Sequence, residues 1–237
     1  RKIKTCKTQV MSRIKTVGIV GTGVIGTGWI IRNLAHNKIV HAYDQNKNLK
    51  SYVLKEIKRT SKSIKKLFGK KILIKNLKFF NSLEKALVNV DFVQESVLEN
   101  YKVKTDLIQK ISKYVKSNVI ISSSSSGLLP SKIFSKSKNP QRGIIGHPFN
   151  PAYLLPAVEI VPGKKTTRKF LSDANKYYKS ISMRPIMLKK ELPGYLSDRL
   201  QEALWREGLH IINENYATTQ ELDRAIEDGP GLRYSIM

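Results

Sequence analysis

The chain of 237 residues is short of cysteine, of acid and of uninterrupted apolar runs, and each shortage narrows what it can be. A lone cysteine, Cys6, permits no internal disulfide, which excludes a cross-linked secreted scaffold and fits a reducing compartment such as the cytoplasm. The apolar stretch at 16–31 is 16 residues long and broken by Gly18, Gly21, Gly23, Gly26 and Gly28. That is short for a membrane span, so neither a membrane segment nor a membrane partner is expected. Acids number 18 against 43 Lys and Arg, a formal net charge of +25. The imbalance is local: residues 1–190 carry 39 bases against 9 acids, residues 191–237 only 4 against 9. The lysines are scattered (Lys55, Lys58, Lys62, Lys65, Lys66) rather than interleaved with aromatics, so the excess is read as solvated surface and no nucleic-acid partner is expected. No metal site is expected either.

What is present is an alternation. Strand-like segments at 16–20, 38–43, 90–95, 118–123, 143–147, 157–161 and 185–188 are interleaved with helical patterns at 24–36, 46–67, 100–115 and 167–181. The order predicts an α/β fold of Rossmann type, doubly wound around a mainly parallel sheet. Pro193-Gly194 interrupts it, close to where the charge balance changes sign. Beyond the break, 195–213 reads as a long helix, and Thr218 with Glu221 has capping-box spacing for another. Residues 1–13, opening on Arg1 with Met11 just before the first strand, are read as an uncertain leader. Residues 14–190 are read as the dinucleotide-binding domain, and 191–237 as the start of an all-helical C-terminal domain.

The first strand runs into Gly21-Thr22-Gly23-Val24-Ile25-Gly26 and then a helix. Gly21 permits the tight turn, Gly23 lets a pyrophosphate approach the backbone, and Gly26 allows close packing of helix on strand. The helix N-terminus, beginning near Val24 and Ile25, offers unpaired N–H groups to phosphate, and Thr22 lies in the same turn. A second strand ends at Asp44, 18 residues after Gly26. There a carboxylate can accept the ribose hydroxyls and repel a 2′-phosphate, so NAD is the expected cofactor rather than NADP.

His147 ends a strand, the position where open parallel sheets put their ligands. Taken alone, such a histidine is more often structural. Glu159 lies in the apolar strand 157–161, where a carboxylate is costly unless paired. Either it pairs with His147, as a base and its orienting acid, or it points outward from an edge strand; the sequence leaves both open. The five serines 122–126 read first as a low-complexity loop, with Ser126 as a candidate for holding a substrate oxygen.

Together these residues resemble the 3-hydroxyacyl-CoA dehydrogenase superfamily over 14–237. The marks are the glycine turn, Glu99 with Lys104 in VLENYKVK, Ser126 in SSSGLLPS, GHPFNP at 146–151, and Glu159. The resemblance implies that His147 is the catalytic base, with Glu159 its partner. It implies that Ser126 and Asn150 hydrogen-bond substrate and nicotinamide, that Glu99 and Lys104 contact the cofactor, and that the complete enzyme is a homodimer. Members continue with further helices beyond the point matching Met237, so the second domain is read as truncated.

Within the superfamily, GHPFNPAYLLPAVEIVPG (146–163), the segment 198–237 and Trp29 are most like the members that oxidise the 3-hydroxyl of L-carnitine to 3-dehydrocarnitine. The acyl-CoA members usually have Asn where this chain has Asp198. A trimethylammonium favours aromatic faces and carboxylates, which makes Phe149, Tyr153, Asp198 and Trp205 candidate substrate residues. The bland alternative for Asp198 and Trp205 is a solvated acid and a core aromatic. Three alternatives stand beside carnitine oxidation: a 3-hydroxyacyl-CoA dehydrogenase, an L-gulonate 3-dehydrogenase-like enzyme, and a crystallin-like protein that binds NAD without catalysis.

Overall fold

The computed structural model describes residues 13–236. Apart from Arg13, the leader read at 1–13, with Cys6 and Met11, lies outside the described residues. Contacts divide the chain after Tyr195 into two units. The first carries strands β1 (Thr16–Val20), β2 (Ile39–Tyr43), β3 (Leu77–Phe80), β4 (Phe92–Glu95), β5 (Ile120–Ser123), β6 (Gly143–Pro148), β7 (Ala157–Pro162) and β8 (Arg184–Met187). Its helices are α1 (Val24–Ala35), α2 (Leu49–Phe68), α3 (Leu83–Leu87), α4 (Tyr101–Tyr114), α5 (Pro130–Ile133) and α6 (Arg168–Ser180). The second unit comprises α7 (Ser197–Asn213), α8 (Thr219–Ile226), a π-helical turn at Glu227–Gly231 and α9 (Leu232–Ile236).

The sheet runs β3-β2-β1-β4-β5-β6-β7-β8, and every neighbouring pair is parallel except β6 with β7. The chain leaves β1 toward β2 and β3, then returns to β4 on the other side. That reversal opens a crevice at the carboxyl ends of β1 and β4, where such sheets bind ligands. Successive side chains go to opposite faces: Val17, Ile19, Phe92 and Ile144 join one core with α1, α2 and α6, while Val20, Val93 and Ile145 join another with α4 and α5. Each fully buried apolar side chain of this size contributes roughly 1.5–3 kcal/mol. The eight residues between β6 and β7 hold no helix. A parallel return requires a crossover of a dozen or more residues, so β7 comes back antiparallel.

The helices follow their apolar spacing. In α2, Val53, Ile57, Thr60 and Ile64 face inward, while Lys50, Lys55, Lys58, Lys62, Lys65 and Lys66 lie exposed. Six of the chain's 43 basic residues thus lie on the solvated side of one helix. Gly69 closes α2 in the left-handed region, φ 66°, its N–H bonded to the Lys65 carbonyl. In the second unit the Thr218–Glu221 capping box forms in both directions. β3 and α3 carry too little periodicity to be read from sequence; they are four and five residues long.

Candidate active site

The glycine turn has the shape the cofactor reading requires. Gly21 sits at φ 89°, and a Cβ there would meet the Ser96 carbonyl oxygen at 2.6 Å. At Gly26 a Cβ would stand 1.8 Å from the Gly21 oxygen. At Gly23, the N-cap of α1, a Cβ would meet nothing within 4 Å, so the space before the helix N-terminus is open. No acid occupies the first turn of α1, where Val24 is exposed. Asp44 is tied to this turn: its Oδ2 accepts from the Thr22 N–H at 2.6 Å, and its Oδ1 accepts from the Asn46 N–H at 2.9 Å. Thr22 Oγ1 adds a longer bond to Oδ2 at 3.3 Å, and since a carboxylate has about four acceptor sites, one remains for a ribose hydroxyl. Open cradle, free helix N–H groups and fixed acid together fit a dinucleotide, with Gly21–Gly26 on the pyrophosphate and Asp44 on the ribose.

The serine run is not a low-complexity loop, because four of its five hydroxyls have their own partners. Ser122 Oγ bonds the Tyr178 hydroxyl at 2.8 Å, and Ser123 Oγ donates to Glu95 Oε2 at 2.5 Å. Ser124 Oγ accepts from Trp29 Nε1 at 3.1 Å and Gln94 Nε2 at 2.8 Å. Ser125 Oγ donates to Glu99. Ser126 differs: it is exposed, its N–H donates to Glu99 Oε1 at 2.9 Å, and its hydroxyl makes no hydrogen bond among the described residues. Four serines build the loop and the fifth presents its hydroxyl.

Glu99 and Lys104 are not ordinary charges at an exposed helix start. Lys104 is buried, its Nζ 2.8 Å from Glu95 Oε1, 3.1 Å from the Val97 carbonyl and 3.5 Å from Glu99 Oε2. Glu95, wholly buried at the end of β4, also accepts from the Val97 N–H at 2.6 Å. Glu99 is partly exposed and collects Ser125 Oγ and the N–H groups of Ser126 and Gly127. The arrangement runs from a buried acid through a buried base to an acid that holds the serine turn. Glu95 is not singled out by sequence, although a carboxylate in the apolar segment 90–95 is the same signal that marks Glu159.

His147 and Glu159 face each other across the antiparallel β6–β7 ladder. His147 Nδ1 lies 2.9 Å from Glu159 Oε2, with both side chains buried. Glu159 does not point outward to solvent: its side chain is wholly buried, and β7 is not an edge strand because β8 lies beyond it. An ionised Glu159 accepts from Nδ1–H, and this tautomer leaves Nε2 as the basic nitrogen. Tyr195, in the left-handed region at φ 45°, sets its ring edge-on to the imidazole with centroids 5.5 Å apart, and its hydroxyl donates to the Leu128 carbonyl at 2.8 Å. Burial holds its phenol well above the usual range. Sequence reading starts a helix at Tyr195 and misses this contact.

Of the remaining candidates, Phe149 lies beside the base, 6.1 Å between ring centroids, and Asn150 is exposed on the same loop. Tyr153 turns to α2 instead, where its hydroxyl accepts from Arg59 at 3.5 Å. Asp198 and Trp205 belong to the second unit, in the first and third turns of α7, Trp205 being 65% exposed. Trp205 is therefore no core residue of that unit.

Comparison with known proteins gives the family and the fold. The family model "3-hydroxyacyl-CoA dehydrogenase, NAD binding domain" matches residues 16–192, and the model of the C-terminal domain matches 194–237. An L-carnitine dehydrogenase of Oceanobacillus iheyensis is 43% identical over 225 residues, 94% of this chain and 73% of that protein. One from Pseudomonas putida is 44% identical over 228 residues, 96% of this chain and 71% of that protein. Among solved structures, a 5-formyl-3-hydroxy-2-methylpyridine 4-carboxylic acid 5-dehydrogenase superposes with a TM-score of 0.88 at 24% identity, covering 94% of this chain and 73% of that one. This last likeness is one of fold. Among the described residues no helix is long and apolar enough to cross a membrane.

Proposed function

The chain belongs to the 3-hydroxyacyl-CoA dehydrogenase family, and on that premise we propose that it oxidises the 3-hydroxyl of L-carnitine to 3-dehydrocarnitine. It is an NAD-dependent dehydrogenase acting on a CH–OH group. The observation that carries the catalytic part is the buried His147–Glu159 pair. NAD, when bound, supplies the hydride acceptor. His147 Nε2 takes the hydroxyl proton, and Glu159 holds the tautomer and stabilises the imidazolium that results. Ser126 and Asn150 offer their hydrogen-bonding groups to the reacting oxygen and its surroundings. Glu99, partly exposed, contacts the cofactor and holds the turn of Ser126, whereas Lys104, 1% exposed, acts through Glu99 rather than on the cofactor itself.

The carnitine assignment rests on the two relatives named for it. The chemistry of the first unit supports it: Phe149 beside His147 offers an aromatic face to a trimethylammonium. A second reading, oxidation of a 3-hydroxyacyl-CoA, is favoured by the family's own description and by the basic first segment, which suits a polyanion. We also propose a homodimer in the cytoplasm. Leu200, Leu204 and Trp205 of the second unit are exposed apolar surface that a second copy would cover, and a lone cysteine suits a reducing compartment. Offering NAD with L-carnitine, 3-hydroxybutyryl-CoA or L-gulonate in turn, and following NADH, tests the assignment. NADH formation with carnitine supports it; turnover of the CoA ester alone overturns it in favour of the second reading.

A further inference from the structure

The loop that joins the His147 strand to the Glu159 strand is anchored by a buried cation outside the chemistry described above. Arg32, in the third turn of α1, is 1% exposed. Its Nε donates to the Ala152 carbonyl at 3.1 Å and its Nη2 to the Leu155 carbonyl at 2.6 Å. The guanidinium carbon lies 5.0 Å from the centre of the Phe68 ring. Among the described residues no carboxylate pairs with it. Burial pulls its pKa down to about 10. A buried charge without a counter-ion stabilises a fold less than an apolar side chain of the same volume. Two carbonyls three residues apart, met by one rigid planar group, define position instead.

The surroundings reinforce the anchor. Gly28, one helical turn before Arg32 on the same face, brings α1 so near the loop that a Cβ there would stand 3.0 Å from the Ala152 Cβ. The N–H groups of Leu154 and Leu155 both go to the Pro151 carbonyl, closing the turn that Arg32 grips from outside. Phe149 and Asn150 stand immediately before this turn. One helix thus presents its N-terminus at the glycine cradle and its third turn to the loop between the catalytic strands.

We propose that Arg32 is a positioning residue for the oxidation step. By fixing the 151–155 turn to the cofactor-binding helix, it sets where Phe149 and Asn150 stand beside His147. Its side chain is buried and acts through the loop, and its effect on turnover rests on the dehydrogenase reading given above.

Hydrogen exchange and kinetics on the full chain test it with two variants, Arg32→Met, of similar length without donors, and Arg32→Lys, which retains a single donor centre. In Arg32→Met the Leu154 and Leu155 amides exchange at least about tenfold faster while β6 and β7 keep their protection. NAD affinity stays within about twofold, and kcat/KM falls by about 10²-fold, the scale of an ångström-sized misplacement. Arg32→Lys falls between wild type and Arg32→Met in both readouts. Unchanged loop exchange with unchanged kcat/KM overturns the proposal, as does a loss of NAD affinity as large as the loss of kcat/KM. Should Arg32→Met not fold, Arg32→Lys decides: faster loop exchange with NAD affinity retained supports the role, and wild-type exchange and kinetics end it. If the wild-type enzyme oxidises none of the alcohols offered, the functional reading fails, while the exchange measurement still decides what Arg32 holds.

Discussion

His147 on β6 and Glu159 on β7 are direct partners in the antiparallel ladder, with Nδ1 and Oε2 2.9 Å apart and both groups shielded from water. The strand register fixes this pair. The short link between the strands, which forbids a crossover helix, is what places base and acid opposite each other. A buried carboxylate there is tolerable because the imidazole satisfies it.

The first expectation follows from that pairing. Glu159→Gln preserves size and removes the charge that fixes the tautomer and stabilises imidazolium. We expect kcat to fall by about 10²–10⁴-fold, the usual worth of positioned acid–base catalysis. NAD binding should be unchanged, because Gly21–Gly26 and Asp44 are untouched. Steady-state NADH formation and fluorescence titration of NAD measure the two quantities.

A second concerns the other buried acid. Glu95 and Lys104 are 2.8 Å apart and almost wholly inaccessible. Lys104→Met leaves Glu95 as a buried charge without its cation, which costs about 3–5 kcal/mol. The double variant Glu95→Gln with Lys104→Met removes both charges while keeping an acceptor for the Ser123 hydroxyl and the Val97 N–H, and should recover most of that loss. Urea unfolding of the three proteins checks this; a single variant as stable as wild type would count against the buried pair.

Legibility in the sequence divides along physical lines. Gly21–Gly26 and Asp44 are readable because their signals are local, a turn only glycine can make and an acid at a strand end, whereas His147 and Glu159 stand out as candidates but their pairing is left open until the strand order is known. The family resemblance rests on the same residues and agrees with the family models. The separate tasks of Ser122 to Ser125 are not readable. Five identical letters acquire different partners from α1, β4 and α6 and from residues 96–99 once the sheet forms. Arg32 is hidden for another reason: residues 26–35 of α1 are buried all round, so no polar face marks it, and its carbonyl partners lie 120 and 123 residues away. Tyr153 and Phe149 look equivalent in sequence, and only the path of the loop sends one to α2 and the other to His147.

A third expectation is a pH dependence of stability carried by His36. Its Nδ1 meets the Arg32 carbonyl and its Nε2 the Ser182 hydroxyl, both at 2.8 Å, with the ring against Phe68. Burial first, then the charges of Arg32, Lys70 and Lys38, pull its pKa from 6.5 to about 4, against the opposing effect of the Arg32 carbonyl. As pH falls from 6.5 toward 4, the unfolded chain gains a proton that the folded chain refuses. Stability therefore drops over that window, by at most roughly 3 kcal/mol, and is unaffected by this group above it. In His36→Gln the difference between unfolding free energies at about pH 7 and about pH 5 should shrink; an unchanged difference would rule His36 out as its source.

The last expectation separates folding from cofactor binding at two glycines of one turn. Gly26→Ala would put a Cβ 1.8 Å from the Gly21 oxygen, so the turn itself must move, and both thermal stability and NAD affinity should fall. Gly23→Ala meets no protein atom within 4 Å, and Gly23 has an ordinary φ of −64°. Its melting temperature should therefore match or slightly exceed that of wild type, since alanine reduces the freedom of the unfolded chain. Yet the added methyl stands where a pyrophosphate must come close to the backbone. NAD affinity should drop at least about tenfold in a protein that is otherwise intact, a loss of about 1.4 kcal/mol. Scanning calorimetry paired with NAD titration reads both. Gly23→Ala with full affinity would mean that the dinucleotide does not lie across this turn, and the assignment of Gly21–Gly26 would fall with it.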